Sequence, residues 1–155
     1  MRIANMSSVK ENINSISKKL KLLEKSKNPI IKLMSDEMRE FVKRLDKKNM
    51  SDFQLSLAHW YCEHKHYALS YMALAESIVS KSCEIHNYKI DNENGRNSAK
   101  NKIYRIDKDL SKIYKKVKNI RNNIAHQLNT RKDSILADIN NLPKDIEKVQ
   151  DIFNR

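Results

Sequence analysis

The chain has 155 residues, and its 31 Lys and Arg residues outnumber its 19 Asp and Glu residues, which gives a formal net charge of +12 at pH 7. One glycine and two prolines are too few for the tight turns of a β-sheet protein, so the composition predicts an all-helical fold. The length is typical of one domain with its own core, and the positive charge favours polyanionic partners, nucleic acid first.

The predicted elements form a helical bundle of about five to seven helices. Helical spacing of apolar residues predicts a first helix over 8–26. Asn28-Pro29 is typical of an N-cap followed by proline at the first helical position, which begins a second helix that runs to about Lys48. The elements predicted after that are a short helix over 53–63, a helix over about 66–86, a polar loop over 87–100, a long helix to about Leu128, and a last helix capped near Asn141 with Pro143 just inside.

The domain organisation follows from a break at residues 49–52, where Asn-Met-Ser-Asp ends one helix and caps the next. We expect an N-terminal helical pair at 1–50 to pack on a core formed by 51–155, within a single domain overall.

The sequence lacks the signals of a membrane protein, a secreted protein and a zinc protein. No stretch approaches the ~20 apolar residues of a membrane span, and the N-terminus lacks the apolar segment of a secretory signal. Cys62 and Cys83 are too few for a disulfide framework and lack the CxxC spacing of a zinc site. We therefore expect a cytoplasmic protein with reduced thiols, no membrane association and no metal.

The long helix has two distinct faces. Apolar residues alternate at spacings of three and four, which predicts a seam buried against another helix of the domain or of a partner; they are Ile103, Ile106, Leu110, Ile113, Val117, Ile120 and Ile124. The opposite polar stripe has the same spacing and consists of Arg105, Lys108, Lys112, Lys115, Asn119, Asn122 and His126. From this stripe Lys112, Lys115 and Asn119 are candidates for RNA contacts, although a lysine-rich helix back is also typical of a solvated face.

The segment Arg121–His126, which reads Arg-Asn-Asn-Ile-Ala-His, carries the chemistry that a phosphodiester requires. Arginine binds phosphate through a planar fork of donors, and histidine transfers protons near neutral pH. Asn122 and His126 share the polar stripe, whereas Arg121 lies about 100° around the helix from Asn122. This phase favours a site between helices, which a second copy related by a two-fold axis can supply. The alternative is that Arg121 and His126 only interact favourably with the helix dipole.

The same segment resembles the R-x4-H motif, in its R-N-x-x-A-H form, of the HEPN superfamily of RNA-cleaving helical domains. Over roughly residues 50–130 the chain is similar to the nuclease half of CRISPR-associated CARF–HEPN proteins. The further features that carry this resemblance are Trp60-Tyr61, the apolar helix from Ala68-Leu69 through Glu76, and the polar loop before the long helix. The chain has no room for the cyclic-oligoadenylate sensor domain that usually precedes this half, so we expect a stand-alone HEPN-like protein or the C-terminal part of a larger one.

The resemblance implies a homodimer with a composite cleft, one motif from each subunit, that cleaves single-stranded RNA without a metal. His126 would transfer protons to or from the 2′-hydroxyl or the 5′-oxygen, or position the phosphate. Arg121 would stabilise developing negative charge, and Asn122 would orient His126 or the phosphate. The products would carry a 2′,3′-cyclic phosphate or a 3′-phosphate.

Glu76 is a supporting candidate, because an unpaired carboxylate is costly among the apolar neighbours 72–75 and 78–79. The resemblance implies that this acid meets the motif arginine; the alternative is that it points to solvent. We interpret two weaker groups as structural. One is the cluster His59, Cys62, Glu63, His64 and His66, which lacks the spacing of a metal site. The other consists of aromatic residues that are able to stack on bases, Trp60, Tyr61, Tyr67 and Tyr71.

Three functions remain open from sequence. The first is an endoribonuclease acting in antiviral, CRISPR-associated defence or as a toxin. The second is a non-catalytic RNA-binding helical subunit of a defence complex, and the third is a HEPN-like protein paired with an antitoxin such as a nucleotidyltransferase. The R-x4-H motif argues against the second, because RNA binding alone does not require it.

Overall fold

The computed structural model describes residues 6–23, 26–125 and 132–155. Within these ranges the secondary structure consists of eight α-helices and no strand, which confirms the predicted all-α fold class. The helices are α1 Met6–Leu23, α2 Pro29–Leu45, α3 Met50–Glu63, α4 Tyr67–Ile85, α5 Glu93–Lys100, α6 Ile103–Ile106, α7 Lys108–Ala125 and α8 Lys132–Phe153. None of these described helices combines the length and apolar character needed to cross a bilayer.

The chain divides into two compact units, Met1–Lys48 and Asn49–Arg155. In the first unit α1 packs against α2. The predicted cap of α2 is present, since Asn28 is extended and its Oδ1 accepts a hydrogen bond from the Ile30 N–H at 2.9 Å, with Pro29 in the first turn. The helix ends at Leu45, earlier than predicted, because the polar residues that follow have no apolar side chain to bury.

The second unit is built around α4, against which all of its other helices pack. Most residues of α4 are buried, as expected of a helix that is surrounded on all sides. Small residues allow α3 to approach closely, and serine hydroxyls satisfy its carbonyls. Ser70 donates to the Ala58 carbonyl at 2.7 Å, and Ser77 donates to the Ser51 carbonyl at 3.0 Å. This helix holds Glu76, so the central packing also fixes part of the candidate site.

Helix α5 lies inside the segment 87–100 that was predicted to be a loop, and this prediction is wrong. Asn92 caps the helix by accepting a hydrogen bond from the Gly95 N–H at 2.9 Å. At the other end Ala99 is fully buried, and its carbonyl accepts a hydrogen bond from Ser82 of α4 at 2.8 Å. The Asn92 cap and the contact of Ala99 with α4 therefore stabilise this helix. It was not predicted because its polar sequence has no apolar stripe.

The predicted long helix is interrupted, because Asp107 is extended and separates α6 from α7. Its Oδ1 accepts hydrogen bonds from the N–H groups of Asp109 at 2.7 Å and Leu110 at 2.9 Å, which is an N-cap arrangement. The apolar seam continues across the break, and Leu110 and Val117 are fully buried where α7 packs on α4. The seam is therefore used within the chain at Ile103, Leu110, Ile113 and Val117, which are buried.

Helix α8 runs through Pro143, although the sequence predicted that a new helix begins there. Proline has no N–H for the carbonyl of Ile139. The helix continues because its apolar face is anchored on both sides of the proline: Leu142 before it and Ile146 and Val149 after it are fully buried. These two extra segments, α5 and the α6–α7 break, account for eight helices instead of the five to seven expected.

Candidate active site

Arg121 lies four residues before the end of α7 at Ala125, and its guanidinium reaches across to Glu76 of α4. Its Nη1 is 3.4 Å from Oε1 of Glu76, and its Nη2 donates to Oδ1 of Asn122 at 3.4 Å. Its side chain keeps 35% of its surface exposed, whereas that of Glu76 keeps 9%. The structure thus holds Arg121 against α4, with Asn122 beside it.

Glu76 is buried and does not point to solvent. One of its carboxylate oxygens faces Arg121, and the other accepts a close hydrogen bond from Nη2 of Arg96. Two guanidinium groups thus share one carboxylate. The three side chains form a partly buried cluster with a net charge of +1. This arrangement explains how a carboxylate is tolerated among the apolar residues of α4.

Arg96 is a member of this cluster that the sequence reasoning missed, because it was assigned to the loop. Its position follows from α5, which Asn92 caps and Ala99 anchors. Gly95, the single glycine of the chain, lets α5 approach the preceding turn: a Cβ there would lie 3.0 Å from the carbonyl oxygen of Lys89. The signal that was available in the sequence is the Asn92 cap followed by Glu93 in the first turn.

Tyr114 lies on the same side of α7 as Arg121, because a separation of seven residues leaves about 20° between them. Burial raises the pKa of Tyr114, the positive charge of Arg121 opposes this rise, and the negative charge of Glu76 adds to it. At neutral pH the group is therefore a neutral phenol beside the charged cluster.

The predicted RNA-binding residues lie on the exposed side of α7. Lys112, Lys115 and Asn119 are exposed, and Lys112 is paired with Asp109 at 2.8 Å. Lys112 lies about 180° around the helix from Arg121, so these two cations do not face the same point. His126 lies outside the described residues.

Several of the weaker candidates make contacts that indicate structural roles. Tyr71 is buried, and its hydroxyl donates to the Asp138 carbonyl at 2.7 Å, which makes it a core residue. Trp60 stacks at a tilt on His64, with ring centroids 4.2 Å apart, and the His64 Nδ1 lies 2.8 Å from the Trp60 carbonyl. No group of three or more His, Cys, Asp or Glu side chains among the described residues could hold a metal ion.

Fold and site together define an all-α helical protein with an arginine–carboxylate cluster at the end of one helix. The chain is similar to the CRISPR-associated protein MJ1674 of Methanocaldococcus jannaschii, with 29% identity over 138 aligned residues; the match covers 79% of this chain and 22% of that protein. This chain thus spans less than a quarter of that relative's length. No family model matches the chain. No solved structure matches it either.

Proposed function

We propose that the protein is a metal-independent endoribonuclease of the HEPN type that cleaves single-stranded RNA in CRISPR-associated defence. One observation carries this proposal: the first residue of the R-N-x-x-A-H segment, Arg121, is half-buried between Glu76 and Asn122 while part of its guanidinium remains open. The similarity to a CRISPR-associated protein supports the defence role rather than that of a toxin.

The chemistry is an attack by the ribose 2′-oxygen on the adjacent phosphorus. The 2′-O–P bond forms and the P–O5′ bond breaks, which leaves a 2′,3′-cyclic phosphate on one product and a 5′-hydroxyl on the other. His126 takes the 2′-proton or gives a proton to the leaving oxygen. Arg121 binds the non-bridging oxygens, on which negative charge develops, and Asn122 orients the phosphate.

A second copy of the chain completes this site in the proposal. Each subunit supplies one motif, so two histidines are available for the two proton transfers. The burial of Leu110 and Val117 on the seam of α7 supports this arrangement, because the opposite stripe, with exposed Asn119 and half-buried Asn122, remains as a face that a second copy can meet.

The test is cleavage of end-labelled single-stranded RNA in EDTA by the wild type and by Arg121→Ala and His126→Ala. We expect each substitution to reduce the rate by about 100-fold or more. Arg155→Ala is the matched control, because it also removes an arginine that faces a carboxylate, Asp107 at 3.7 Å, but at an exposed position. The control is expected to cleave like the wild type.

Two results would overturn the proposal. One is RNA cleavage that persists undiminished in both motif variants, which would indicate a contaminating nuclease. The other is a folded, dimeric wild type that binds RNA but does not cleave it with or without cyclic oligoadenylates, which would leave a non-catalytic RNA-binding protein. A mass measurement in solution tests the dimer, and a monomer at micromolar concentration would remove the composite cleft.

A further inference from the structure

Glu76 poses an electrostatic problem for the proposed site. A carboxylate next to the arginine that binds the scissile phosphate attracts that arginine and repels the phosphate. If Glu76 paired with Arg121 alone, the two charges would cancel and the pair would offer the RNA no net attraction.

Arg96 is placed to solve this problem. Its Nη2 makes the close contact to Oε2 of Glu76, while Arg121 stands at a longer 3.4 Å from Oε1. The tighter ion pair therefore belongs to Arg96, and the contact to Arg121 is long for a hydrogen bond between charged groups.

Arg96 is also unsuited to bind the phosphate itself. Its side chain is only 19% exposed, against 35% for Arg121, and its other terminal nitrogen donates to the Ile90 carbonyl at 3.4 Å. The contacts to the Ile90 carbonyl and to Glu76 keep this guanidinium at the carboxylate. Arg121 has five N–H donors and uses only its contacts to Glu76 and Asn122 among the described residues, so donors remain for a phosphate.

We infer that Arg96 is a positioning residue for RNA binding and cleavage: it holds and neutralises Glu76, so that Arg121 is oriented by the carboxylate but remains available to the scissile phosphate. The inference rests on the proposed function. It assigns a role to a residue outside the R-x4-H motif, on a helix of eight residues that the cap of Asn92 and the close approach at Gly95 hold in place.

Charge balance makes the inference testable. The cluster has a net charge of +1 in the wild type, 0 in Arg96→Gln, +2 in Glu76→Gln and +1 in the double variant. The assay measures the affinity for a non-cleavable RNA, which carries 2′-deoxy at the cleavage position, together with kcat and KM on the cleavable RNA.

We expect Arg96→Gln to bind RNA about tenfold more weakly and to raise KM by a similar factor, because Arg121 is drawn fully onto Glu76. Glu76→Gln is expected to bind at least as tightly as the wild type, and the double variant to recover most of the affinity lost in Arg96→Gln. Arg96→Lys keeps the charge but loses the fork of donors, so it is expected to lie between the wild type and Arg96→Gln.

A purely structural role for Arg96 gives a different pattern: the double variant would be as weak as Arg96→Gln or weaker, and that result would overturn the inference. If Arg96→Gln does not fold, Arg96→Lys provides the test. An RNA affinity of Arg96→Lys as low as that of Arg121→Gln would contradict the inference that the positive charge at position 96 neutralises Glu76. Absence of Arg121-dependent cleavage in the wild type would instead contradict the proposed function, so the two failures are distinguishable.

Discussion

Replacing Glu76 by glutamine is expected to lower the stability of the protein measurably. The substitution keeps the shape of the side chain but removes the carboxylate that pairs with both Arg96 and Arg121. Breaking a fully buried pair costs ~3–5 kcal/mol because a charge is left uncompensated. Arg96 retains some contact with water and its bond to the Ile90 carbonyl, and the glutamine oxygen still accepts a hydrogen bond, so the expected loss is about 2 kcal/mol.

Thermal unfolding followed by circular dichroism measures this loss. For a chain of this length, about 2 kcal/mol corresponds to a fall of roughly 4–8 °C in Tm. Asp109→Asn is the matched control, because Asp109 also pairs with a cation, Lys112, but both side chains are more than two-thirds exposed. The control is expected to shift Tm by only a small fraction of that amount. Equal shifts for the two variants would refute the buried arginine–carboxylate cluster.

Three further predictions concern the second unit. Burial and the negative charges of Asp138 and Asp145 raise the pKa of Tyr71 above its ordinary value. The contribution of the neutral phenol to stability is therefore present below about pH 10 and is lost as the pH rises further. Between pH 9 and about pH 11, the free energy of unfolding measured by urea titration is expected to fall more steeply for the wild type than for Tyr71→Phe. Pro143→Ala restores a helix N–H at an exposed position of α8 and is expected to raise stability by ~1–3 kcal/mol in the same titrations; a lower stability would contradict the continuous helix. Burial raises the pKa of the Cys83 thiol, so mass spectrometry after iodoacetamide treatment is expected to find Cys83 alkylated only in denatured protein, and rapid alkylation in the folded protein would contradict its burial.

The sequence predicted those parts of the fold that rest on local patterns. The Asn28-Pro29 cap and the burial of Leu110 and Val117 in the seam are of this kind, because capping and periodicity are properties of neighbouring residues. The break at Asp107 was missed since the apolar spacing continues across it, although an aspartate two and three residues before the N–H groups it caps was visible in the sequence.

The candidate site was predictable only in part. The segment that begins at Arg121 has a pattern, and the acid at Glu76 could be selected because a carboxylate is unusual among apolar neighbours. Arg96 has no such mark: it is one of many basic residues, and only the folding of α5 against α4 brings it to Glu76. Contacts of this type depend on how the helices pack together, and the spacing of residues along one helix does not predict them.

The most direct test of the central claim is the fate of a single 2′-hydroxyl. An RNA oligonucleotide is incubated with the protein in EDTA beside the same oligonucleotide carrying 2′-deoxy at the nucleotide before the cleaved bond. We expect that only the all-ribose strand is cut at that bond, that its products carry a 2′,3′-cyclic phosphate and a 5′-hydroxyl, and that Arg121→Ala abolishes the cut. Cleavage of the deoxy-substituted bond, or cleavage that appears only when Mg²⁺ is added, would contradict this expectation.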